Sequence, residues 1–204
     1  MIFGLFKQKK LNKYATTLYE VLAPQINLAK EFGKWPDFTT MCDYMIDNDY
    51  LLSYLNMYLN ISTKIQFKLT NSADSGMIIT KVLQMIEPTF ADNLKLMRYM
   101  DRLQISTNNP KFKKGADDAF MTCVVMFDMQ EQDQFKNNKA YKEAFDYFDN
   151  GKFNDDKRIV QELGIKNSSQ FGNIPKRFII AHRIYEMTFG KELASHFKFK
   201  NPII

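Results

Sequence analysis

The sequence predicts an all-α fold, a single-domain bundle of about eight or nine helices. Three observations carry that prediction. Only 8 Gly and 6 Pro occur in 204 residues, well under the roughly 12% of an average protein, so the turns that sandwiches and barrels need are scarce. Apolar residues recur every three or four positions through most of the chain, the spacing of a buried helix face. With 45% hydrophobic and 25% charged residues, the chain can build a core and does not have the composition of a disordered segment.

The first helix is read from Leu11 onward, where Leu11, Ala15, Leu18, Leu22, Ile26 and Ala29 form one stripe, with a kink expected at Pro24. Residues 1–10 are read as an apolar and basic tail preceding a single helical domain, 11–204. Gly33 and the Trp35-Pro36 turn end that helix, and Asp37 is placed to cap a second one carrying Phe38, Met41 and Met45. Tyr50 to Ile61 is apolar nearly all round, which suits a central helix contacted on several sides.

The next segment has two readings. Ile65, Phe67 and Leu69 alternate with Gln66, Lys68 and Thr70, and Phe197 to Lys200 echo them, so 64–70 and 196–200 could pair as a small two-stranded ribbon. Leu51, Leu55, Tyr58, Ile61, Ile65 and Leu69 also make a helical stripe, which is favoured because an isolated ribbon is marginal. Further helices are expected at Ala73–Glu87, Thr89–Ile105, Ala116–Glu131, Asn138–Asp149, Asp155–Leu163, Ile174–Phe189 and Lys191–Phe197, punctuated by Pro88, Gly151, Gly164 and Gly190. Ser106 to Gly115 and Lys166 to Asn173 read as polar connections too short to divide the chain into domains.

The net charge of +5 hides local blocks: +4 over 1–36, −4 over 37–50, +5 over 51–114, −5 over 115–163 and +5 over 164–204. Opposed blocks are expected to pair within the fold. Cys42 and Cys123 are solitary and form no CxxC, so neither a disulfide framework nor a zinc finger is indicated and a reducing cytoplasm is expected. The longest apolar stretch, Ala119 to Met129, is too short to span a bilayer, and the N-terminus lacks the order of a secretory signal.

Catalytic chemistry finds little to stand on. His182 and His196 are the only histidines and their spacing fits no metal-ligand pair; His182 is read as a hydrogen-bonded boundary residue and Glu192 with His196 as a helix-end pair. Asp117-Asp118 and Asp155-Asp156 are read as helix-opening acids. Asp43 with Asp47 is the least explained pair. The run from Asp146 has Asn150 and Gly151 where a calcium loop wants them, but Phe148 at its third position and Lys157 at its twelfth defeat it. No phosphate-binding glycine loop or nucleophile elbow occurs, so no cofactor is expected and an enzyme is the less favoured reading.

Two binding motifs remain. Ala144, Tyr147, Gly151, Phe153 and Val160 resemble the small and aromatic positions of one tetratricopeptide hairpin, with Asp156 and Ser168 departing from it and no second copy; a generic αα-hairpin explains them as well. Arg158 to Ile165 followed by Asn167-Ser168-Ser169 resembles the first helix and turn of a helix-turn-helix, with Gln170, Gly172 and Pro175 departing in its second half. That resemblance, within 156–183, implies nucleic-acid contacts by Lys176, Arg177 and Arg183, joined by Lys111, Lys113 and Lys114. Phe3, Leu5 and Phe6 with Lys7, Lys9 and Lys10 could touch a membrane surface or a partner. The favoured function is a non-catalytic adaptor, inhibitor or chaperone-like module that binds another protein through a helix face or groove, suggested by 12 Met and 18 Phe. A nucleic-acid binder and an enzyme with a carboxylate-based site are the alternatives.

Overall fold

The computed structural model describes residues 2–32, 35–152 and 175–200, and these are helical with no strand among them. The elements are α1 (Ile2–Phe32), α2 (Phe38–Asp47), α3 (Asp49–Phe67), α4 (Ser72–Ile86), a 3₁₀ turn (Pro88–Ala91), α5 (Asn93–Ser106), α6 (Pro110–Met126), a second 3₁₀ segment (Gln130–Phe135), α7 (Lys139–Asp149), α8 (Lys176–Tyr185), a π-helical segment (Glu186–Gly190) and α9 (Lys191–Lys200). The helix expected at Asp155–Leu163, the helix-turn-helix resemblance up to Ile174, and Phe153 and Val160 of the hairpin motif lie outside the described residues.

Side-chain caps set most helix starts. Asp37 accepts from the Thr40 amide at 2.6 Å, as its position in the sequence predicted, and Asn48, Asn71, Asp92, Asn109 and Asn138 do the same for α3 to α7. Each satisfies a backbone N–H that the first turn leaves without a partner. Glu87 accepts from the Thr89 amide and the Thr39 hydroxyl, both at 3.0 Å. Burial pushes the Glu87 carboxyl up, but these donors outweigh it and leave its pKa lowered.

Four readings are corrected, the first of them the alternative to the favoured helix at 64–70. The ribbon of 64–70 with 196–200 does not form: α3 runs to Phe67 and α9 covers 191–200, and Phe67 stacks on Tyr14 of α1 at 4.0 Å. The connection expected at 106–115 is mostly helix, since Asn109 caps and Pro110 occupies the first turn of α6, where its missing N–H is harmless. Asp117 and Asp118 therefore sit inside α6 rather than at its start. Gly190 does not break the chain's helical course; α8 continues into α9 through a wider π turn, in which the Thr188 hydroxyl donates to the Ile184 carbonyl at 2.6 Å. Residues 2–10, read as a tail, are the first turns of α1.

α3 is the central element, with Leu51, Leu52, Tyr54, Leu55, Tyr58 and Leu59 buried around its circumference. It lies against α6 in the same direction. The Tyr50 hydroxyl donates to Asp118 at 2.6 Å, the Tyr54 hydroxyl bonds that of Thr122 at 2.7 Å, and the Tyr58 hydroxyl meets the Met126 sulfur at 3.5 Å, a step of four residues on each helix. Lys114 closes an ion pair with Asp118. The helices approach closely because Gly115 has no side chain where the two backbones meet. α1 and α4 pack on one another in the same direction, Lys7 pairing with Asp74 at 2.8 Å near their starts. α8 packs on α6 and α7.

Both thiols are buried. Burial pushes the Cys42 thiol up from 9.0 to about 12 and raises Cys123 likewise. Because these folded-state values exceed the unfolded ones, the stability they contribute is complete below about pH 9 and is lost as pH rises toward the folded values. Neither thiol should react with a disulfide reagent in the native protein at about pH 8, both should react in guanidinium, and unfolding free energy should fall above about pH 9. Rapid native labelling of Cys42 would contradict the burial.

Candidate functional site

α5 is held to the core by Tyr99, Leu96 and Leu103 and by a row of charged contacts. Its buried aromatic, Tyr99, meets Phe90 edge-on at 6.2 Å and donates to Asn56 at 3.2 Å. Beside it, Lys95 pairs with Asp43 at 3.1 Å, and Arg98 with Asp47 and, at 3.7 Å, with Asp43. Arg102 donates to Asp49 at 2.6 Å and to the Asp47 carbonyl at 3.2 Å. Ser106 donates to the same Asp49 oxygen at 2.6 Å, while Asn109 serves the other oxygen. The acidic block 37–50 thus seats the basic helix at 95–102, and Asp43 and Asp47 are accounted for as part of that seat.

The opposite face of α5 has no such partner among the described residues. Leu94, Met97, Met100 and Ile105 are 74%, 59%, 57% and 73% exposed. At about 100° per residue they share one side of the helix, with Asp101 among them. Burying each such side chain is worth about 1.5–3 kcal/mol, so a row of four left in water marks an interaction surface more readily than a scatter of single residues.

The other residues singled out in the sequence fall elsewhere. Lys111 and Lys113 are exposed on the first turn of α6. Lys114 pairs with Asp118 and lies over the Tyr50 ring. Lys176 pairs with Asp149 at 2.7 Å and lies over Phe148, and Arg183 pairs with Glu186 at 2.7 Å and lies over Tyr147. Arg177 is exposed, 5.5 Å from the Phe178 ring. At the N-terminus Phe6 is 69% exposed, Lys9 and Lys10 are exposed, and Lys7 is engaged by Asp74; Phe3 and Leu5 lie in the same opening turns of α1.

A polar cleft of about 450 Å³ is lined by Tyr44, Asp47, Asn48, Asp49, Asn109, Pro110 and Lys111, within the size range of small-molecule sites. Its carboxylates already have donors: Asp49 accepts from Arg102, Ser106 and Asn109, and Asp47 from Arg98. A general base needs a free lone pair aimed at substrate. Neither His182 nor Asp43 lines the cleft. His182 is buried on α8, its ring along Tyr185, and Glu192 accepts from Asn48 at 3.2 Å.

No known protein family, curated protein or solved structure matches the chain. No described helix is long and apolar enough to cross a membrane. The four exposed apolar residues of α5, Leu94, Met97, Met100 and Ile105, escape a reading of the sequence because α5 carries apolar residues on two sides. A signal was available, in that Leu94, Leu96, Met97, Tyr99, Met100, Leu103 and Ile105 cover more of the helix than one buried face needs.

Proposed function

We propose that this chain is a non-catalytic helical interaction module that binds another protein through the outward face of α5. One observation carries the reading: four large apolar side chains stand in water on the side of α5 turned away from its ion-paired seat. A partner presenting an apolar helix face fits them, because methionine adapts to the shape it meets. The charged seat holds the helix backbone in place while leaving that face free.

The nucleic-acid reading has weaker support, since Lys114, Lys176 and Arg183 are each neutralised by a carboxylate of the same chain, and phosphate binding draws on cations free to displace counterions. The enzyme reading would rest on a cleft whose acids are already hydrogen-bonded.

A photo-crosslinking side chain at Met97, with the exposed Lys139 as control, tests the proposal in the source cells. The expected result is a protein adduct at 97 that survives nuclease and has no counterpart at 139. The adducted partner, once purified, should bind the chain and lose about tenfold or more in affinity on Met97→Glu. Adducts that disappear with nuclease, or that form equally at 139, would overturn it.

A further inference from the structure

Resting on that reading of α5, we infer that the partner helix is α5 of a second copy, giving a twofold antiparallel homodimer. The pattern on the face is its own complement. A twofold axis passing between residues 99 and 100 relates each residue i to 199 − i, which sets Leu94 opposite Ile105 and Arg98 opposite Asp101 of the other copy. Both pairs fall on the same side of the interface, and Met97 and Met100 of the two copies fill the other side. An interface between identical surfaces has to satisfy this condition, whereas contact with an unrelated partner does not.

Charge supports that occupant. Asp101 lies within the apolar face and forms no ion pair with any described residue, an unfavourable place for a lone carboxylate unless the partner surface brings a cation. Arg98 is near it in the dimer register, its side chain still 45% exposed after pairing with Asp47 and Asp43. In the dimer each Arg98 bridges its own seat and the other copy's Asp101, and the two carboxylates gain a counterion that no described residue of the monomer gives them. The apolar row is shielded on both copies at once. A single helix pair buries a modest area, so the association is reversible and concentration-dependent.

Sedimentation of the full chain over a wide concentration range tests the dimer, and cysteine pairing tests its register. The expected result is a reversible monomer–dimer equilibrium that Asp101→Arg weakens at least about tenfold by setting like charges opposite one another. A Leu94→Cys chain mixed with an Ile105→Cys chain should form a disulfide-linked heterodimer under mild oxidant, whereas neither should link to itself. Cys42 and Cys123 are buried and do not compete. All three substitutions are at exposed positions, and an unchanged thermal melt of dilute protein confirms that each variant is folded. A chain that stays monomeric to about 1 mM overturns the inference. So does a dimer that ignores Asp101→Arg, or self-linking of the Leu94→Cys chain. If the inference fails while a purified partner still binds and still depends on Met97, the interaction-module reading stands without the homodimer; if neither association depends on α5, both fall.

Discussion

Gly115→Ala should destabilise the protein by about 3 kcal/mol or more. A Cβ at this position would stand 2.2 Å from the Ser53 hydroxyl oxygen and 2.2 Å from the Tyr50 carbonyl oxygen. Ser53 could turn away. The Tyr50 carbonyl is backbone in the first turns of α3, so α3 and α6 must move apart to admit the methyl group. That movement also lengthens the bonds from Tyr50 to Asp118 and from Tyr54 to Thr122, leaving buried polar groups imperfectly paired. Helix propensity alone would have Ala stabilise α6 by about 1 kcal/mol, so the two accounts differ in sign. Urea unfolding of the variant decides between them. Adding Ser53→Ala should recover little, because the backbone clash remains; full recovery would place the whole cost on the serine and refute the argument from close helix approach.

Asp49→Ala should cost about 2–3 kcal/mol and should loosen α5 selectively. The Asp49 side chain is only 17% exposed and joins three elements, accepting from Arg102 and Ser106 of α5 and from Asn109 at the start of α6. It also places negative charge at the N-terminus of α3, where the helix dipole favours it. Removing it leaves a partly buried guanidinium without its carboxylate, held only to the carbonyls of Ile46 and Asp47, and deprives two neutral donors of this acceptor. Asp49→Asn keeps one acceptor oxygen and loses the charge, so an intermediate loss is expected. Hydrogen exchange should show 93–106 opening faster in the alanine variant while α3 and the body of α6 keep their protection. Unchanged exchange in α5 would mean that Tyr99 and its neighbours hold the helix without help from the ion pairs. An exposed carboxylate such as Asp133, 83% exposed and paired with Lys136, should show no comparable effect on removal.

These two sites differ in how far the sequence could reveal them. The acidic block 37–50 and the basic stretch after it were visible as opposed charge, and pairing between them was the expected outcome. Which acid meets which base was not visible, because Asp49 and Asn109 are 60 residues apart and only the path of α4 and α5 brings them together. Gly115 was legible as a turn residue at the end of a polar connection. The fold gives it a different role, since the Asn109-Pro110 cap starts α6 five residues earlier and carries Gly115 into a helix–helix contact. The cap itself was a local signal, an Asn before a Pro, and the charged run of Lys111, Lys113 and Lys114 obscured it.

The α5 surface was the least legible. Periodicity identifies faces that are apolar, and α5 has two of them. Tyr99 turns inward because Phe90 and Asn56 receive it, and the three basic side chains on that flank reach acids of α2 and α3; Leu94, Met97, Met100 and Ile105 are then left outside. A helix with one apolar stripe tells its orientation by itself, whereas a helix with two needs its neighbours to choose.

By itself the sequence determined what is local to a few turns of chain: the all-helical class, the central place of α3, the inward stripe of α1 and the Asp37 cap. Each depends on contacts within about one to five turns, where residue spacing and geometry are locked together. The tertiary structure alone decided the rungs between α3 and α6, the close approach at Gly115, the hub at Asp49 and the outward face of α5. These join residues that the chain holds far apart, and burial of one surface decides what remains exposed on the other.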